Sequence, residues 1–248
     1  MYKSMAHVYD WSGSLAFSEL VYKQITEIFE QQAIIPPAQV LDLACGTGSL
    51  TKLLAENGYS VTGIDSEPAM LALAEKKCAG LSPQPLFLPG DMQDFHLETQ
   101  VDAVLCHYDS LNHLSNETEL QATFTRVYEA LKPGGFFLFD LNTLENYETF
   151  WTGKDTDEGP NYQLKTTASF NKETFKASVD FILLEYDETG QLTQQTDTLH
   201  EVYFNESAVK EYLKLAGFDF VQQSELQNPM ALATEAALKT FWVCQKQQ

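Results

Sequence analysis

Apolar positions recur along this chain with two different periods, and the change of period divides it. Phe17, Leu20, Val21, Gln24, Ile25 and Ile28 fall on one face of a 3.6-residue repeat that ends before Pro36-Pro37, which predicts a first helix. Short apolar runs then take turns with helical patterns. Val40-Leu-Asp-Leu43 predicts a strand, Leu50, Leu53 and Leu54 a helix stopped by Asn57-Gly58, and Val61-Thr-Gly-Ile64 a second strand. Ser66 stands where the next helix needs its cap, with Pro68 in the first turn and Met70, Leu71 and Ala74 buried before Gly80. Strands follow over Leu86–Leu88 and Val101–Cys106. Asn116 and Glu119 have capping-box spacing, and Leu120, Phe124, Val127 and Leu131 form the buried face of a helix stopped at Pro133-Gly-Gly135, ahead of a strand over Phe136–Asp140.

Strand and helix alternating in this order predict an α/β fold, a parallel sheet with helices on both faces. After about residue 145 the period drops to two. Segments around Tyr162–Phe170, Phe175–Tyr186 and Leu192–Phe204, separated by Asn171-Lys-Glu173 and Asp187-Glu-Thr-Gly190, predict an antiparallel meander. A helix over Ser207–Leu215, then Gly217 and strands Phe218–Val221 and Thr240–Gln245, return the chain to the sheet. The expected organisation is one domain over 1–248, with a core of 36–145 and 206–248, an N-terminal helical segment 1–35 and an antiparallel β insertion 150–205.

Charge narrows the partners. Fifteen Lys and Arg against 35 Asp and Glu leave a net charge of -20, and Arg126 is the one arginine. Such a chain repels polyanions over about 8 Å at physiological salt, so neither nucleic acid nor an anionic membrane is an expected partner. Cys45, Cys78, Cys106 and Cys244 lie far apart with no Cys/His cluster, which predicts no metal site and no disulfide framework, and fits reduced thiols in a cytoplasm. No apolar run approaches the ~20 residues of a membrane span, and Met1-Tyr-Lys-Ser4 does not open a signal peptide. The sequons at Asn116 and Asn205 then read as chance matches.

The candidate chemistry sits at strand ends. The first strand runs into Asp42-Leu-Ala-Cys-Gly-Thr-Gly48 and a helix; Gly46 and Gly48 leave room for backbone to approach a ligand at a helix N-terminus. Asp42 suits a cationic amino group better than a pyrophosphate. Asp65, 23 residues on, ends the second strand where a carboxylate can accept from both ribose hydroxyls, with Ser66 beside it. After the third strand, Asp91 can take the exocyclic amine of an adenine while Met92 packs on its ring.

Taken together, Val40-Leu-Asp-Leu-Ala-Cys-Gly-Thr-Gly48, Val61-Thr-Gly-Ile-Asp65, Gly90-Asp-Met-Gln-Asp-Phe95, Val101-Asp-Ala-Val104 and Leu131-Lys-Pro-Gly-Gly135 resemble the successive motifs of class I S-adenosylmethionine-dependent methyltransferases, over roughly residues 38 to 142. The layout beyond is similar to small-molecule N-methyltransferases acting on glycine or aminosugars, and Asp109-Ser-Leu-Asn112 with His200-Glu201 resembles a bacterial YqeM-like group. Ala44 departs from the first glycine of the usual GxGxG.

The resemblance implies a Rossmann-like seven-stranded sheet, mostly parallel with its last strand antiparallel, the β insertion covering the active site. It implies S-adenosyl-L-methionine as cofactor and S-adenosyl-L-homocysteine as product. Asp42 and Ala44, Cys45, Gly46 and Gly48 would hold the methionine moiety, Asp65 and Ser66 the ribose, Asp91 and Met92 the adenine, and Cys106 and His107 the sulfonium region. Tyr9 resembles an N-terminal tyrosine that approaches the transferred methyl group.

Methyl transfer is an in-line displacement, so the protein mainly aligns the nucleophile, excludes water and removes a proton. Tyr9, His107 and Asp109 are the expected catalytic residues, with His113 and His200 as further candidates for a base and Trp11 as a second π face toward the sulfonium. The expected reaction moves a methyl group to N or O of a small-molecule acceptor, and the oligomeric state is open. Three rivals remain: a non-catalytic binder of the cofactor or its product, an RNA methyltransferase, and a dinucleotide-dependent oxidoreductase, for which the turn lacks GxGxxG spacing.

Overall fold

A computed structural model describes residues 6, 8–12, 14–159, 162–186, 190–226 and 238–248. After a short 3-10 turn at Tyr9–Ser12, helix α1 runs over Ser14–Gln31. The core then alternates β1 (Gln39–Leu43), α2 (Ser49–Glu56), β2 (Ser60–Asp65), α3 (Pro68–Lys77), β3 (Leu86–Pro89), β4 (Val101–Cys106), α4 (Glu117–Ala130) and β5 (Leu131–Asn142). Helix α5 (Leu144–Phe150) leads into β6 (Gly153–Glu158), β7 (Tyr162–Asn171), β8 (Lys176–Tyr186) and β9 (Leu192–Val202). Helix α6 (Glu206–Ala216) and strands β10 (Phe218–Leu226) and β11 (Lys239–Lys246) close the chain.

The main sheet has the order β10-β11-β5-β4-β1-β2-β3, and β11 runs antiparallel to both β5 and β10. Four strands, β6-β7-β8-β9, form a separate antiparallel sheet. The seven-stranded sheet and the β insertion are as the sequence predicts.

Period two explains both faces of the main sheet. Phe137, Phe139 and Leu141 of β5 pack with Leu120, Phe124 and Val127 of α4, while Phe136 and Leu138 face α1 and α2. Each strand buried on both sides reads as a continuous apolar run. Truncating a core ring such as Phe139 to Ala should cost about 3–5 kcal/mol.

Several local expectations shift. Glu67, not Ser66, caps α3, its carboxylate accepting the Ala69 N–H. Leu131 belongs to β5 rather than α4, because Lys132-Pro-Gly-Gly135 bulges within that strand between the pairings Val101–Leu131 and Ala103–Phe136. Helix α5 and strand β6 were not legible: β6 reads Gly-Lys-Asp-Thr-Asp-Glu and is exposed throughout, so no alternation marks it. The two sequon asparagines are helix caps, Asn116 accepting from Thr118 and Glu119 N–H and Asn205 from Ser207 N–H. Residues 187–189 of the turn expected at 187–190 lie outside the described residues.

Candidate cofactor and acceptor site

The carboxyl ends of β1, β2, β3 and β4 surround a cavity of about 410 Å³, in the size range of small-molecule sites. Ala44, Gly46, Asp65, Ser66, Glu67, Asp91 and Met92 line one part; Tyr9, Tyr108, Ser110 and His113 line another. A smaller cavity of about 60 Å³ adjoins it at Tyr9, Ala44 and Gly46, and reaches Asp42, Cys45, His107 and Ser18.

Strand β1 ends in a turn of left-handed residues: Ala44, Gly46 and Gly48 have φ of 59°, 54° and 76°. Gly46 faces both cavities. Gly48 faces neither, and a Cβ there would lie 2.8 Å from Ala74 Cβ, so this glycine serves the packing of α3 rather than the ligand. Asp65 fixes the turn from β2, with Oδ2 accepting Gly46 N–H at 2.8 Å and Oδ1 accepting Glu67 N–H at 2.9 Å. Burial raises its pKa, opposed by those two N–H groups.

Asp42 points to the α2 side and accepts from Thr51 Oγ1 at 2.5 Å. Burial, against that hydrogen bond and with the charge of Asp65 adding, pushes its carboxyl up to about 7. Asp91 is exposed at the rim, accepting Gln93 N–H, and Met92 is half-buried on the α4 side of the core.

Strand β4 divides its last two residues. Cys106 is fully buried in the α4-side core and lines neither cavity, because strand alternation turns it away from the loop side; of the two residues expected at the sulfonium region, only His107 lines a cavity. His107 stacks on Phe241 and bonds through Nδ1 to Asp140 Oδ1 at 3.0 Å. Its Nε2 is buried with no hydrogen-bond partner among the described residues.

Asp140 organises the loop after β4. Its Oδ1 accepts Tyr108 N–H and its Oδ2 accepts Asp109 N–H, each at 2.8 Å, which stabilises two consecutive left-handed residues with φ of 62° and 49°. Lys239 from β11 is buried, with Nζ 2.7 Å from Asp109 Oδ2 and 3.5 Å from Asp140 Oδ2, ion pairs rather than well-directed hydrogen bonds, and lies over the rings of Phe17 and Tyr108. Burial works against the charges of both Asp140 and Lys239. Their mutual attraction, with His107 on one side and Asp109 on the other, outweighs it and leaves the aspartate pKa lowered and the lysine pKa raised.

Tyr9 borders both cavities, its ring 5.9 Å from that of Tyr108. The turn carrying it is tied to the glycine loop. Lys77 Nζ meets Asp10 Oδ2 at 2.8 Å, Thr47 Oγ1 at 2.8 Å and Ser49 Oγ at 2.7 Å, and Thr47 Oγ1 donates to Asp10 Oδ1 at 2.6 Å. The Trp11 side chain lies outside what the structure describes.

One expectation about a histidine is corrected. His200 is exposed and contributes only its carbonyl, which lies 3.1 Å from His113 Nδ1; its neighbour Glu201, on the other face of β9, is the buried residue. Asp109, His113 and Glu201 bring one donor atom each within 4.8 Å of one another, a group that no sequence spacing marked. The signal available was the period of β9, which turns alternate residues inward.

The residues present fit S-adenosylmethionine. Gly46 offers bare backbone, Asp65 and Asp91 face the same cavity, and the orphaned His107 Nε2 stands where the smaller cavity begins.

This sheet order with a late antiparallel sheet and a glycine loop at β1 defines the class I methyltransferase fold. A family described as "Methyltransferase domain" matches residues 40–135. YqeM of Bacillus subtilis (strain 168), named a methyltransferase by inference, is 34% identical over 88% of this chain and 86% of its own. A crystal structure of an S-adenosylmethionine-dependent methyltransferase from Clostridium acetobutylicum superposes with a TM-score of 0.84 at 20% identity, covering 100% of this chain and 99% of that one. The S-adenosylmethionine-bound CalS10, an amino pentose methyltransferase from Micromonospora echinaspora, gives 0.71 at 21% identity over 96% of each chain. The chain belongs to the S-adenosylmethionine-dependent methyltransferases, YqeM-like, and S-adenosylmethionine is its cofactor.

Proposed function

We propose that this enzyme methylates nitrogen or oxygen of a small-molecule acceptor held between the N-terminal turn, the loop after β4 and the insertion sheet. The observation that carries the reading is the continuity of the 410 Å³ cavity, from Asp65, Asp91 and Met92 to Tyr9, Tyr108 and His113. When bound, S-adenosylmethionine supplies a methyl carbon already activated by its sulfonium. Asp65 binds the ribose hydroxyls, Asp91 and Met92 receive the adenine, and Gly46 gives the methionine part its backbone. Asp42 and His107 face that part from the smaller cavity. Tyr9 and Tyr108 exclude water from the reacting centre and present π faces to positive charge. His113, at the cavity wall, is placed beside the acceptor.

Kinship with an amino pentose methyltransferase supports a small acceptor. The net charge of -20 weighs against RNA as acceptor. Among the described residues no helix is long and apolar enough to cross a membrane, and all four cysteines are free and buried, which fits a reducing compartment such as the cytoplasm.

The test is a calorimetric titration with S-adenosylmethionine beside NAD, followed by assay of S-adenosylhomocysteine release with candidate acceptors. A dissociation constant of about 1–100 μM for S-adenosylmethionine and no heat with NAD is expected. Binding of NAD alone would overturn the reading, and cofactor binding without turnover of any acceptor would favour a non-catalytic binder.

A further inference from the structure

Glu201 is the residue that the cofactor site leaves unexplained. It comes from the insertion sheet, is 3% exposed, and its Oε2 accepts from Tyr147 OH at 2.6 Å and Asn142 Nδ2 at 2.9 Å. The same Asn142 amide donates to Asp109 Oδ2 at 2.7 Å, so one side chain sets the two carboxylates side by side. Oε1 of Glu201 has no hydrogen-bond partner among the described residues and faces His113 Nε2 across 3.9 Å. A carboxylate that is 3% exposed and has no cation beside it is costly. Within this group Asp109, Asp140 and Glu201 supply three carboxylates, and Lys239 is the one ammonium, already spent on the two aspartates. Burial first, and then the charge of Asp109, raise the Glu201 pKa well above the ordinary range. Ionised, Glu201 would be short of one cation.

Charge decides which cation. Two ligands of one transition metal, each about 2.1 Å from it, stand roughly 3.4 Å apart in a tetrahedral site. Two acceptors of one ammonium, each about 2.8 Å from nitrogen, stand up to roughly 4.6 Å apart. The 3.9 Å between His113 Nε2 and Glu201 Oε1, within a group whose members lie inside 4.8 Å, falls between those spacings. Lys239, 2.7 Å from Asp109, adds repulsion that a dication would feel twice as strongly as an ammonium. Asp109 and His113 keep side-chain exposures of 15% and 19%, so the group is open on one side, and His113 also lines the cofactor cavity.

We propose that the methyl acceptor is an amine, and that Asp109, His113 and Glu201 receive its ammonium group beside the cofactor. This rests on the reading of the chain as a small-molecule methyltransferase and chooses nitrogen over oxygen. The bound ammonium gives one proton to the Glu201 carboxylate. The freed nitrogen lone pair then forms the N–C bond to the methyl carbon as the C–S bond breaks, its electron pair staying on sulfur. The products are the methylated ammonium and neutral S-adenosylhomocysteine. A hydroxyl acceptor would leave Glu201 without its cation.

The probe is ¹³C-methylammonium, titrated by NMR into the protein saturated with S-adenosylhomocysteine, with potassium chloride holding the ionic strength. A fragment of two heavy atoms should bind with a dissociation constant of about 10 mM. Glu201→Gln, which keeps an acceptor for Tyr147, should weaken this at least tenfold while S-adenosylhomocysteine affinity stays within twofold. His113→Asn, a milder change at a partly exposed position, should weaken it too and serves if Glu201→Gln fails to fold. Absence of saturable binding by about 100 mM, or binding unchanged in the folded variants, overturns the proposal. Micromolar binding of Mn²⁺ lost in Glu201→Gln would overturn it in favour of a metal site. If S-adenosylhomocysteine itself does not bind, the underlying reading fails as well; if it binds and methylammonium does not, only the amine assignment falls.

Discussion

Asp65 Oδ2 accepts the Gly46 N–H at 2.8 Å, so the carboxylate at the end of β2 holds the glycine turn in place from 19 residues away in sequence. The same side chain faces the cofactor cavity. In the proposed reading, positioning of the loop and recognition of the cofactor are one device.

Asp65→Ala should therefore weaken S-adenosylmethionine more than loss of a ribose contact alone. Removing the acceptor of two backbone N–H groups adds about 1–3 kcal/mol of destabilisation. Calorimetry should show affinity reduced at least tenfold and urea unfolding a lower midpoint; unchanged affinity would count against the cofactor assignment.

Ala44 carries a Cβ at φ 59°, where such a residue costs roughly 1–2 kcal/mol over glycine, offset in part by the freedom glycine loses on folding. Ala44→Gly should raise stability by about 0.5–1 kcal/mol, read from denaturant midpoints. Much of the loop was legible in the sequence because glycine pattern and strand end are local. The structural use of Gly48 was not, since it depends on Ala74, which only the packing of α3 brings to 2.8 Å.

Asp42 predicts a pH effect. Its folded pKa of about 7 lies above its unfolded value, so the folded state favours the protonated form; this contribution is fully present below pH ~4 and lost as pH rises through about 7. Asp42→Asn keeps an acceptor for Thr51 and removes the titration. The variant's stability relative to the native protein should grow as pH rises from 5 to 8 in urea titrations, and a constant difference would show that Asp42 titrates normally.

Asp140→Asn should be the most damaging of these changes. It leaves Lys239 buried with only Asp109 beside it and weakens the acceptor for Tyr108 and Asp109 N–H, a loss of about 3–5 kcal/mol. Circular dichroism melts would show a drop well beyond that of a surface control such as Glu129→Gln.

The tie between Asp10 and Lys77 is half-exposed at most, 26% and 19%, and holds the turn bearing Tyr9 over the loop. A double-mutant cycle with Asp10→Asn and Lys77→Met should give a coupling of about 0.5–1 kcal/mol in stability. Cofactor affinity should fall severalfold in Lys77→Met, because Thr47 and Ser49 lose their shared donor.

Local pattern was enough to specify the α/β core, because strand and helix periods are local and β5 and α4 carry them without interruption. It was also enough to put Asp65, Asp91 and Gly46 at the strand ends that line one cavity, each fixed by its distance from a strand end. The acceptor side came together only on folding. Asp109, Asp140, Glu201 and Lys239 span 131 positions of the chain, and no local pattern joins them. Glu201 entered the sequence reading only within a resemblance and without a role, since which face of β9 turns inward depends on its pairing with β8 and on Asn112, whose amide donates to the Val202 carbonyl at 2.8 Å. Burial then gives these carboxylates their chemistry, and burial belongs to the folded chain.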